Sequence, residues 1–128
     1  MNRIRLFVID PQNDFMDIDG ATLPVSGAND DMGRLAGFVQ AAAAQIEDLI
    51  VTMDSHASVG IERTTFWMVA DGGAVAPFTQ IRASDVERNA YLPRNETLRV
   101  PVIAYLRALE SSGERTLIVW PVHCVLGT

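Results

Sequence analysis

Two short runs of apolar, largely β-branched residues, 4–10 (IRLFVID) and 48–54 (DLIVTMD), each close on an aspartate, with a helix-patterned segment between them. Near-continuous apolar runs suit strands buried on both faces of a parallel sheet. Between them, Asn29, Asp30 and Asp31 supply an N-cap and an acidic first turn, and Met32, Leu35, Phe38, Val39, Ala42 and Ile46 recur at helical spacing. The pattern predicts a helix over about 30–46 and a right-handed βαβ crossover over the first fifty-four residues. Residues 57–99 then lose periodicity among Gly, Pro, Asn and aromatic residues, which predicts an irregular insertion serving as a lid over the carboxyl end of the sheet. Pro101 opens a further helix with a stripe of Val102, Ile103, Leu106 and Leu109, Gly113 ends it, and 116–122 (TLIVWPV) reads as a third strand. The order β-α-β-insertion-α-β predicts an α/β fold, a three-layer, doubly wound, Rossmann-like parallel sheet whose ligands bind beyond the carboxyl ends of the strands.

Composition narrows the partners. A net charge of −6 and ten scattered arginines argue against a nucleic-acid footprint. No apolar stretch approaches the roughly 20 residues of a membrane-spanning helix. The single Cys124 excludes an internal disulfide, and no signal-peptide pattern follows Met1, so a cytoplasmic location is expected. The chain contains no lysine.

Three clusters at predicted strand ends could carry chemistry. Asp10, in DPQNDF, suits either a general base or a turn cap. An aspartyl nucleophile for phosphoryl transfer calls for a second Asp two positions on, where Gln12 stands instead. Asp54 and His56 alternate along the second strand's end, so both can face one cation, although a merely hydrogen-bonded His is the blander alternative. His123, the only other histidine, lies at the third strand's end, which makes a shared metal site with Asp54 and His56 a concrete expectation.

These clusters carry a resemblance. VIDPQNDF at 8–15, TMDSH at 52–56 and WPVHCVLGT at 120–128 resemble, in order, the three signatures of the isochorismatase-like cysteine hydrolases of the nicotinamidase branch. The resemblance implies an isochorismatase-like sheet that is incomplete within these residues, and hydrolysis of a small-molecule amide C–N bond through a Cys-Lys-Asp triad. Asp10 matches the triad's Asp, whereas the Lys and the nucleophilic Cys have no counterpart in the chain, because the cysteine beside the metal-binding histidine is not the family's nucleophile. It further implies a divalent metal, zinc, iron or manganese, held by Asp54, His56 and His123. Glu62 stands eight residues after Asp54, where a further histidine ligand is usual. Phe15 and Trp120 match the aromatic walls of the substrate pocket. The alternative is a non-catalytic or truncated member of the fold that binds or assembles. In either case a homo-oligomer or a complementing chain is expected, since an incomplete sheet leaves strand edges and apolar surface uncovered.

Overall fold

The computed structural model describes residues 3–113 and 115–127, which form two compact units: residues up to His56 together with those from His123 onward, and Ala57–Val122. The architecture is mixed α/β. In the first unit, β1 (Ile4–Val8) pairs in parallel with β2 (Ile46–Val51), and α1 (Ala28–Ala42) connects them. The βαβ expectation therefore holds for this pair, within shorter strand limits than the apolar runs suggested. Beyond the ladder, Thr52 donates its N–H to the Val8 carbonyl at 2.9 Å and Asp10 donates its N–H to that of Thr52 at 3.2 Å, which brings Asp10 and residues 52–54 alongside each other.

The start of α1 differs from the expected Asn29 cap. Gly27 precedes the helix with φ +81°, a conformation that glycine adopts without a Cβ clash. The carboxylate of Asp17 accepts the N–H groups of Gly27 and Asn29, both at 2.8 Å, and so satisfies two donors at the helix start. Those two N–H groups hold the Asp17 carboxyl below the usual carboxylate range. At the other end, Ala43–Gln45 tightens into a 3-10 turn that leads straight into β2, so Ile46 is a strand residue rather than the helix's last apolar position. Met32, Leu35, Val39 and Ala42 are among the less exposed positions of α1, as the stripe predicts, whereas Phe38, also part of the stripe, is 45% exposed.

Burial departs from expectation. The strands of the parallel pair were patterned for cover on both faces, yet Phe7, Leu49, Ile50 and Val51 are each about half exposed and Met53 is 71% exposed. The hydrophobic core lies instead in the second unit, where Trp67, Ile81, Val86, Val102, Leu106 and Val119 are packed together and buried.

That unit corrects the reading of 57–99 as an irregular insertion. Its backbone forms β3 (Trp67–Val69), β4 (Gln80–Ile81), α2 (Ala83–Glu87) and β5 (Tyr91–Pro93), followed by α3 (Arg99–Ser111) and β6 (Leu117–Ile118). Elements of two to five residues are too short to show a period, which is why the sequence looked irregular. α3 turns Val102 and Leu106 inward and ends before Gly113 at φ +123°, in line with the sequence pattern. The expected third parallel strand is not formed by 116–122: β6 pairs antiparallel with β4, while β3 pairs antiparallel with β5. Pro121, which has no N–H to donate, follows this short ladder. Among the described residues no helix is long and apolar enough to cross a membrane.

Candidate metal centre

The first unit gathers its chemistry where β1 and β2 end. Asp10 follows β1 at φ +49°, a conformation uncommon for a residue with a side chain. Its backbone is tied to Thr52, and its Oδ1 accepts the Thr52 hydroxyl at 2.8 Å. Two residues on, the Gln12 side-chain amide clamps the backbone of Asp54 at both ends: Nε2 donates to the Asp54 carbonyl at 3.0 Å, and Oε1 accepts the Asp54 N–H at 2.7 Å. A further two residues on, Asp14 Oδ2 accepts the N–H of Cys124 at 2.6 Å. The segment 123–127 returns to this unit, and its backbone meets residue 56 through His56 N–H to the Cys124 carbonyl at 2.9 Å and Leu126 N–H to the His56 carbonyl at 3.0 Å.

This framework brings Asp54, His56 and His123 together as expected, although only Asp54 and His56 follow the end of a parallel strand, whereas His123 stands five residues beyond β6. His56 Nε2 lies 2.6 Å from Asp54 Oδ1, and His123 Nε2 lies 3.3 Å from Asp54 Oδ2. The two imidazoles meet edge to face with their centroids 4.8 Å apart. All three potential ligand atoms fall within 4.8 Å of one another. A cation bound at about 2.0–2.1 Å to nitrogen and oxygen requires tetrahedral ligand atoms roughly 3.4 Å apart, so the set fits after small shifts in which the 2.6 Å pair opens and the widest separation closes. One carboxylate and two imidazoles are a donor set for a divalent transition metal. His123 is buried and Asp54 and His56 are partly so, and a cleft of about 460 Å³ lined by Gln12, Asp14, Asp54, Ser55 and Cys124 opens beside them.

The remaining expected residues are distributed differently. Phe15 is in this unit, its ring edge-on to His123 at 6.0 Å. Glu62 belongs to the second unit, where its carboxylate faces the Arg63 guanidinium at 3.4 Å and Gly60 leaves room for its folded side chain. Trp120 is also a second-unit residue, tied by its N–H to the Glu62 carbonyl at 2.7 Å and in edge contact with Phe78 at 5.5 Å. Phe78 has φ +63°, a real outlier for a bulky residue.

Cys124 is buried, with φ +46°. Burial pushes its thiol pKa above the ordinary value, and the nearby carboxylates of Asp14, Asp54 and Asp10 push it the same way, because each disfavours a second negative charge. The thiolate is the reactive form, so alkylation of Cys124 by iodoacetamide at pH 7 is expected to be slower than that of a free cysteine. Its rate should climb with pH about a midpoint above the ordinary thiol value. A midpoint below that value would show an activated thiol.

No known protein family's sequence profile matches this chain, and neither does any curated protein or solved structure.

Proposed function

We propose that this chain binds one divalent transition-metal ion through Asp54, His56 and His123 and carries the metal-binding part of an isochorismatase-like, nicotinamidase-like amide hydrolase. The observation behind the proposal is the convergence of both histidines of the chain on the two oxygens of one aspartate. The larger doubly wound parallel sheet belongs to the same reading.

When bound, the cation would act as a Lewis acid toward a ring nitrogen or solvent in the cleft. The chain's own residues would do the rest. Phe15, edge-on to His123, offers an apolar face for a flat ring. Asp10, held by Thr52 Oγ1, keeps a carboxylate at the end of β1 for a proton. Nucleophilic attack on an amide needs an activated thiolate, and the chain lacks a lysine to stabilise one, while three carboxylates oppose it at Cys124. Hydrolysis then needs a nucleophile and a lysine from outside these 128 residues, and the half-exposed apolar strand residues favour association with a further segment or another copy.

The test is to load the purified 128-residue chain with zinc or manganese and to measure metal content, mass by light scattering, and turnover of nicotinamide. One metal per chain, a mass above 14.0 kDa and no turnover by the chain alone are expected. Absence of stoichiometric metal would overturn the proposal, and turnover abolished by Cys124→Ala would reassign the nucleophile.

A further inference from the structure

We infer that Gln12 and Asp14 are positioning residues for the metal ligands, one fixing Asp54 and the other fixing the segment that carries His123. The inference rests on the reading of Asp54, His56 and His123 as a metal site. Its basis is the alternation of the segment 10–14. Asp10, Gln12 and Asp14 each make a long-range hydrogen bond, and the partners are Thr52, Asp54 and Cys124. Two of those partners are a metal ligand and the neighbour of one.

The two contacts work on the backbone rather than on the ligating atoms. Gln12 satisfies both the N–H and the carbonyl of Asp54, at 2.7 Å and 3.0 Å, as a neighbouring strand would, so the peptide bearing the carboxylate cannot rotate without breaking a bond. An amide side chain is the group that can do this, because it carries a donor and an acceptor side by side. Asp14 grips the peptide that joins His123 to Cys124, at the residue with φ +46°. A carboxylate accepting a backbone N–H is a charge-assisted bond, stronger than a neutral one. The Cys124 N–H and the Thr22 side chain and N–H hold the Asp14 carboxyl below the usual range, so it is ionised at neutral pH. The same Cys124 residue uses its carbonyl to receive the His56 N–H, and one loop thus locates both histidines. Groups that orient ligands from behind typically change metal affinity by about 10–100-fold when removed.

The experiment measures zinc affinity by chelator competition and the visible spectrum of the cobalt-loaded protein for wild type, Gln12→Ala, Asp14→Ala, Asp14→Asn and Asp54→Ala. Far-UV circular dichroism monitors folding of each. Gln12→Ala and Asp14→Ala are expected to weaken zinc binding about 10–100-fold and to alter the cobalt spectrum. Asp14→Asn keeps a carbonyl acceptor for the Cys124 N–H and should recover most of the affinity. Asp14→Ser, too short to reach the Cys124 N–H, and Gln12→Glu carry the test if an alanine variant fails to fold, and both should bind more weakly than wild type. Gln12→Glu loses the donor to the Asp54 carbonyl and should bind more weakly than wild type. Binding that is lost in Asp54→Ala but unchanged in affinity and spectrum in the Gln12 and Asp14 variants would overturn this inference and leave the metal site standing. Absence of zinc binding by wild type would overturn both.

Discussion

Replacing Trp67 with alanine is expected to destabilise the protein by about 3–5 kcal/mol, the range for truncating a fully buried large aromatic side chain. Trp67 has no exposed surface, packs edge to face with Phe66 at 5.1 Å, and donates its indole N–H to the Ile61 carbonyl at 2.6 Å. Truncation removes the ring from the core and leaves that partly buried carbonyl without the indole donor, two losses in the same direction. A small domain holds only about 5–15 kcal/mol in total, so the change takes a large share of the stability. Urea unfolding followed by fluorescence measures it, because the other tryptophan, Trp120, lies in the same unit and reports its unfolding in the variant. Val100→Ala, at a position 77% exposed, is the control and should shift stability by less than about 0.5 kcal/mol. A Trp67→Ala loss no larger than that of the control would show that the core is organised around other residues.

Asp54→Ala is expected to reduce zinc affinity by more than about 100-fold, beyond the range for residues that only orient ligands. The reason is geometric. Both imidazoles approach Asp54, His56 at Oδ1 and His123 at Oδ2. Its removal takes away a ligand and the negative charge that draws the two rings together. His123→Ala should have a comparable effect, because the buried imidazole is replaced by a group that can donate no electron pair. Isothermal titration with zinc separates the outcomes. Affinity within a few-fold of wild type in either variant would move the metal elsewhere.

Much of the first unit could be read from the chain. The apolar runs mark β1 and β2 through their β-branched residues, and Met32, Leu35, Val39 and Ala42 mark α1 because the less exposed face of a helix recurs with a period of 3.6. The same local rule places Asp10, Asp54 and His56 at strand ends, and the stripe of α3 is legible for the same reason. At the end of α1, Ile46 continues the helical spacing by coincidence, while the backbone has already turned extended.

The sequence by itself determined which residues could form a metal site and placed Asp54 and His56 just beyond β2, but not the loop beyond β6 that carries His123. Tertiary structure alone decided how they are held and where the core lies. The Gln12 clamp on Asp54 spans 42 positions and the Asp14 grip on Cys124 spans 110, and no spacing rule links residues so far apart. The second unit was hidden for a different reason. Its strands of two or three residues and its five-residue α2 carry no period, so only the packing of Trp67, Ile81, Val86 and Leu106 around one another distinguishes a core from a loop. β6 shows the same limit. A run of Leu, Ile and Val suits any strand, and whether it joins a parallel or an antiparallel partner depends on which backbone offers its N–H and carbonyl groups, here that of β4.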